Sequence, residues 1–530
     1  MNEEPHAHET LVAKVRRHGS EGSISAASVN IDTQPLAPAT TGLQQNANGT
    51  IQWGIYLLEP LILMLLFGYN FSSTVLKNQI IYQTCTSWLD YTDAECMLLG
   101  TKNATNATKQ IEAVVQPYAA QIFLIMKIVE CIVPALCGLF VGAWADRYGR
   151  KPLLMASFLG YSLQYLMSAG IAQQAMERHG MVSPWFYVLT VIPLACLGSS
   201  ITYSVAAVCF ISDVSTGKAR SYRMIAYELS MYVGLMLGAY SSGYVYEATN
   251  AYMVFAISAL VILCAFFIIV FFLPESLPAT QRLDSDGSTA PATTSTSGST
   301  NPTFWSCNKL IQLLKEFWHT CVRTRDFKDR SIIILSISIL LLSAFVNDGS
   351  NSVFYLFIRE RFHWTVRQFT SYESVSILVP AVAGSGGIFI LWLLRKCTNS
   401  SVWWLTFISL VSHVASSLCI AFAFVDWQIY LAIGAGALKS LSNPMCRTVI
   451  TNLLPADERG KVFSMLSVLQ SLIPFASSTL YIVIYSITLI SYPGFFNFVS
   501  ANVFGLAIIL LLIVWRQKST NHSHYEPVFK

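Results

Sequence analysis

Apolar runs recur along the chain, each close to the roughly 20 residues needed to cross a hydrocarbon core. Twelve can be read, at about 51–72, 119–145, 152–174, 184–211, 222–245, 250–273, 331–357, 370–394, 402–424, 427–453, 462–488 and 493–515. Each is predicted to be helical, because backbone polar groups in lipid must be satisfied within their own segment. Polar residues interrupt the seventh and tenth runs. Three longer polar stretches punctuate the pattern: a Ser-, Thr- and Gln-rich tail over 1–50, a loop over 73–118 and a segment over 274–330. From Asp284 to Thr303 the last of these is rich in Ser, Thr, Gly and Pro, a composition that buries no core and reads as a flexible linker. The pattern therefore predicts an all-α membrane protein of twelve transmembrane helices in two six-helix domains, 51–273 and 331–515, with a short tail over 516–530.

Composition sharpens this picture. Hydrophobic residues make up 54% and charged residues 12% of the chain, about half the charged fraction of a soluble domain. The net charge of +4 is small, and no nucleic-acid partner is expected without a clustered basic face. Residues 1–50 contain no apolar core of a signal peptide, so the first run is expected to act as the insertion signal. With both termini cytoplasmic, 23 Lys and Arg fall in inner segments and 7 in outer ones, and three lie within runs. That asymmetry sets the orientation. The sequons at Asn103 and Asn106 then lie in the outer loop, where glycans can be added. Cys85 and Cys96 share that loop on the oxidising side, and a bridge between them is expected.

Between the second and third runs the chain reads Gly142-Ala-Trp-Ala-Asp146-Arg147-Tyr-Gly149-Arg150-Lys151. This resembles the G-x-x-x-D-R-x-G-R-[KR] signature of the major facilitator superfamily. Gly142 permits close helix packing, Asp146 sits where it can hold an Arg or a helix N-terminus, and Arg147 and Arg150 add inner charge. The resemblance implies the major facilitator fold, and a role for this loop as a latch between the two domains. The half-chain repeat of such transporters is faint: Lys218 to Met224 and Arg459 to Met465 correspond, but after the eighth run only Arg395-Lys396 remains of a second signature.

A narrower resemblance rests on scattered residues: Leu58-Glu59-Pro60 in the first run, Ser212-Asp213-Val-Ser leading to Glu228, and Asn443-Pro444-Met-Cys-Arg447 in the tenth. These are similar to the proton-coupled folate transporter family, which includes the thymic stromal cotransporter. The resemblance implies proton-driven symport of an anionic solute, with Glu228 in proton coupling and Arg447 in substrate binding. The chain departs from the family's folate carrier in the seventh run, where Ala344 to Asp348 contains no histidine, and in lacking an outer cysteine in its second half.

Ionisable groups inside a membrane span are costly and tend to be paired or functional. Glu228 is suited to loading and releasing a proton; the bland alternative is a fixed pair with Arg223 or Lys218. Arg447 can grip a carboxylate or phosphate, or else form a structural pair with Glu228 or Asp348. Lys439, eight residues earlier, falls on a neighbouring helical face, so both cations could line one cavity. Asp348, with Asn347, Gly349 and Asn351, forms a polar knot that reads as a broken helix lining a cavity; Asp348 is a second proton candidate and Asn347 a substrate contact. Lys127 and Glu130 are three apart and are expected to pair. Glu59 fits either role, Glu373 opens the eighth run as an interface residue, and His413 reads as a packing residue.

The expected function is secondary transport of small organic anions by alternating access, coupled to protons, in a multi-pass protein of the plasma membrane rather than the lysosome. A uniporter or antiporter of another solute such as a muropeptide, and a non-transporting receptor, are the alternatives. No cofactor, metal site or enzymatic activity is expected, and no nucleotide-binding loop is present. A monomer suffices for the mechanism.

Overall fold

A computed structural model of the 530-residue chain describes residues 53–99, 106–178, 181–215, 217–276, 329–395, 402–453 and 456–519. Most of both tails, most of the central linker and Asn103 lie outside these residues. All twelve apolar runs lie on helices: α1 (Leu58–Gln83), α2 (Asn106–Tyr148), α3 (Lys151–Glu177), α4 (Phe186–Val214), α5 (Gly217–Ala248), α6 (Ala251–Phe272), α7 (Asp329–Phe362), α8 (Val366–Arg395), α9 (Val402–Ala421), α10, α11 (Ala456–Thr488) and α12 (Phe495–Ser519). The tenth is built from two pieces, Asp426–Ala435 and Ser442–Leu453, joined through a 3-10 turn over Lys439–Leu441. Among the described residues, eight helices are long and apolar enough to cross a membrane. Helices α3, α5, α8 and α10 are not among them: α3, α5 and α8 are too polar, α5 and α8 carrying Glu228 and Glu373, and the two pieces of α10 are too short, at 10 and 12 residues.

Three expectations change. The stretch 73–118 is less of a loop than its polarity implied: α1 runs on to Gln83, a short helix spans Asp93–Met97 and α2 begins at Asn106. The helix α7 is not broken at its polar knot but continues from Asp329 to Phe362. A Cβ on Gly349 would come within 2.5 Å of the Tyr481 ring, so the glycine there serves close packing of α11 rather than a break. The interruption falls instead in α4, between Cys196 and Ser199, where Gly198 has φ +87°, the left-handed region that glycine adopts without strain.

The packing displays a repeat that the sequence shows only faintly. In the first half α1 packs on α5 and α6, and α3 on α4 and α6; in the second α7 packs on α11 and α12, and α9 on α10 and α12. Adding six to each number turns one set into the other. Close approach of α5 to α1 depends on small residues spaced four apart, Gly234, Gly238 and Ser242, as expected where backbones meet without bulky side chains. Ser242 Oγ donates to the Phe71 carbonyl at 2.6 Å, and Asn70 Nδ2 donates to that of Leu235 at 2.8 Å.

The halves meet through α2 with α11 and α5 with α8. Toward the disulfide end, read as the outer one, a single apolar core runs through both halves and includes Val75, Ile122, Phe369 and Tyr485. Toward the inner end there are two separate cores. One holds Leu65, Phe158 and Phe210 of the first half, and the other holds Leu340, Ile450 and Phe504 of the second. Among the described residues, the halves thus share one core at the outer end and keep separate cores at the inner end.

Candidate functional site

The polar groups between the halves fall into three tiers. At the outer end lies a bridge of buried side chains. Arg359 of α7 is 6% exposed and Glu112 of α2 is 1% exposed, and Arg359 Nε donates to Glu112 Oε1 at 2.6 Å. The same guanidinium donates to Asn78 Oδ1 of α1 and, at 2.7 Å, to the carbonyl of Leu99 in the outer segment. Tyr485 of α11 donates to Gln116 of α2 at 2.7 Å, and Gln116 donates to Glu360 of α7. On the opposite side of the molecule, Arg367 of α8 pairs with Glu247 of α5 at 3.0 Å and stacks over the Tyr244 ring. Each of these contacts joins one half to the other.

The middle tier is a cluster of charge. Lys127 Nζ donates to Glu130 Oε2 at 2.7 Å, as their spacing on α2 predicts, yet the side chains remain 40% and 22% exposed. The Lys127 charge also acts on Asp348 of α7. Lys77 of α1 and Glu373 of α8 act on each other across the halves, and Thr74 Oγ1 donates to Glu373 Oε2 at 3.1 Å. Tyr69 of α1 stands within the field of Lys127, Glu130, Glu373 and Asp348 together. Asn347 is half-buried beside Asp348. Glu373 is therefore an inter-half group rather than an interface residue.

In the inner tier, Glu228 of α5 and Arg447 of the second piece of α10 are both exposed. The Arg447 charge reaches Glu228, and Arg447 Nη2 donates to Gln470 of α11 at 3.1 Å. Arg223 is committed elsewhere: it pairs with Glu59 at 2.9 Å and donates to the Ile55 carbonyl. Lys439 lies on the 3-10 turn Lys439–Leu441 that leads into the second piece of α10, and its charge acts on His413 of α9. His413 is a buried packing residue, stacked on Phe504 with its Nε2 at 3.1 Å from the Lys439 carbonyl.

The signature loop between α2 and α3 turns at Gly149, with φ +102°. Gly142, Asp146 and Arg147 lie on the last turns of α2. Arg150 Nε donates to Asp213 of α4 at 3.0 Å, while the backbone N–H groups of Arg150 and Lys151 donate to Glu275 at 2.7 and 3.1 Å. A carboxylate at the start of α3 complements that helix's dipole. These contacts all lie within the first half. In the outer segment, Cys85 and Cys96 form a disulfide, and Asn106 opens α2.

Residues 122–478 match the Major Facilitator Superfamily model. The chain belongs to the Major Facilitator Superfamily. Within it, a protein named as a probable peptidoglycan muropeptide transporter from Drosophila melanogaster is 58% identical over the full length of both chains. The proton-coupled folate transporter of Rattus norvegicus is 22% identical, covering 88% of this chain and 94% of the relative. The crystal structure of a human organic anion transporter shares the fold, with a TM-score of 0.54 at 16% identity over 86% of this chain and 98% of that one. The protein is a multi-pass membrane transporter of the major facilitator fold.

Lys77, Glu112 and Arg359 escaped the sequence reading, because they stand just beyond the apolar windows, where a charge resembles an ordinary loop residue. Glu373 was read only as an interface residue and Asp213 only as part of a family resemblance, and Glu275, at the inner end of α6, was not singled out.

Proposed function

We propose that this transporter carries muropeptides, or closely similar peptide-bearing solutes, inward with protons. The observation that carries the reading is the charge balance along the pathway. The middle tier sets Lys77 and Lys127 against Glu130, Asp348 and Glu373, and the inner tier sets Arg447 against Glu228. One carboxylate is in excess, and one bound proton balances it. Both signs of charge face the pathway, which suits a solute bearing carboxylates and amines better than a simple anion. Arg447 is the natural partner for a solute carboxylate, and Glu228, exposed opposite it on the other half, is the natural proton carrier, with Asp348 second. Asn347 and the cluster around Lys127 orient the solute. The identity to the Drosophila muropeptide transporter supports the substrate class, and the folate transporter supports proton coupling.

Alternating access follows from the same geometry. A protonated carboxylate loses its hold on a cation across the halves, and the solute takes that cation instead. Occupancy then shifts the balance between two states by differential binding. The reading places the protein at the plasma membrane as a monomer, without cofactor or enzymatic step.

Uptake of labelled muropeptide into cells expressing the chain, at acidic and neutral external pH and with surface biotinylation alongside, tests this. Acid-stimulated uptake is expected. Glu228→Gln should abolish its pH dependence, and Arg447→Ala should lower it about tenfold or more, the scale of a lost charge-assisted hydrogen bond. Uptake of folate in preference to muropeptide by surface-exposed protein would reject the substrate class. Equal uptake at both pH values would reject proton coupling.

A further inference from the structure

A concavity lies at the outer end of the molecule, lined mostly by the first half and reached by Arg359 of the second. Its walls come from α1, α3, the α5–α6 turn and α7, and its roof is the short helix Asp93–Met97, fastened to the end of α1 by the Cys85–Cys96 disulfide. The cavity holds about 500 Å³, within the range of small-molecule sites. Gln79 of α1 lines it, is only 7% exposed and makes no hydrogen bond among the described residues. Its amide is not sealed in but opens on the cavity, where a ligand can reach it. Asn250 shares the wall, its Oδ1 accepting from the Met253 N–H, while the Asn78 amide is taken by Tyr246, Tyr355 and Arg359.

The cation at the cavity's edge is fully engaged, and the one carboxylate there has one oxygen taken. The Arg359 guanidinium is taken by Glu112, Asn78 and the Leu99 carbonyl, and Asp93 accepts from the Tyr82 hydroxyl at 2.5 Å. What remains for a ligand is amide and hydroxyl hydrogen bonding beside apolar surface from Met97 and Met176. We propose that this cavity is an outer-face binding site for a neutral solute rich in amide and hydroxyl groups, an N-acetylated sugar of about disaccharide size. Asn78 and Arg359 belong to the outer bridge as well as to the cavity wall, so the site is complete while the outer end is closed. The choice of an N-acetylated sugar, though not the cavity itself, rests on the muropeptide reading proposed above.

Binding of N,N′-diacetylchitobiose to the purified full-length protein in nanodiscs, measured by calorimetry at neutral pH, tests the site. One saturable event is expected. Gln79→Leu should weaken it about tenfold or more, while Arg447→Ala, altered only in the central pathway, should leave it unchanged. Should Gln79→Leu fail to fold, Asn250→Ser retains a side-chain oxygen to cap α6, removes the carboxamide and should weaken binding likewise. Absence of saturable binding, binding unaffected at the wall, or binding lost in Arg447→Ala would each overturn the proposal. So would binding of a blocked dialanine amide in place of the sugar.

Discussion

Arg359 draws three parts of the molecule together through one guanidinium: α2 through Glu112, α1 through Asn78 and the outer segment through Leu99. Removing one partner of a buried ion pair leaves an uncompensated charge and costs about 3–5 kcal/mol. In a transporter, that cost falls on the outer-closed state alone, because the pair is dismantled when the outer end opens. Glu112→Ala is therefore expected to shift the protein toward the outer-open state without unfolding it. A cysteine placed at Thr74, which is buried here against Glu373, should then react with a membrane-impermeant thiol reagent faster than in the parent. Unchanged reactivity would mean that Arg359 does not hold the outer end shut. Glu228 and Arg447 were legible in the sequence because a charge deep in an apolar run stands out. Glu112 and Arg359 were not, because a helix extending beyond its apolar window carries polar residues that read as loop until their partners are known.

At the scale of the helix, two glycines on α5 separate folding from motion. A Cβ at Gly238 would lie 2.4 Å from the Phe67 carbonyl of α1, backbone within the same half. A Cβ at Gly243 would lie 2.5 Å from the Cα of Arg367 on α8, backbone of the other half. Neither neighbour is a flexible tip that can swing aside. Overpacking of this kind costs about 1–3 kcal/mol or more, but the two sites should express it differently. Gly238→Val forces α5 from α1 in every state and should lower the thermal midpoint of the purified protein. Gly243→Val strains only the outer-closed contact, so the midpoint should change little while external labelling at Thr74 rises. Equal loss of thermal stability in both would show that the α5–α8 contact is part of the fold in all states. The break in α4 and the continuity of α7 illustrate why helix interruptions were harder to read than helices. Asn347, Asp348 and Gly349 resemble a break in composition, yet their backbone stays helical with Tyr481 of α11 packed close on Gly349, whereas the break at Gly198 lies inside a run with no charge to mark it.

Among the described residues the molecule is two copies of one six-helix arrangement, with a shared core at one end and separate cores at the other. Twelve apolar runs and a charged signature loop were enough to reach that architecture. The pairing of halves was not legible, because it depends on which polar residues of one half meet those of the other, and one sequence carries no record of partners. The pair Glu247 and Arg367 marks the outer seam at 3.0 Å, exposed and reachable from outside. Replacing both by cysteine gives a reversible clamp on that seam. A short bis-methanethiosulfonate reagent, which spans the gap left by the two long side chains, should bridge the cysteines in the outer-closed state and stop uptake, and reduction should restore it, if the halves must part there in each cycle. Either single cysteine should transport with or without the reagent, since an exposed ion pair contributes only about 0–1 kcal/mol. A bridge that forms while uptake continues would show that solute does not pass between α5 and α8, and would move the outer opening to the α2–α11 side, where Arg359, Glu112 and Tyr485 meet.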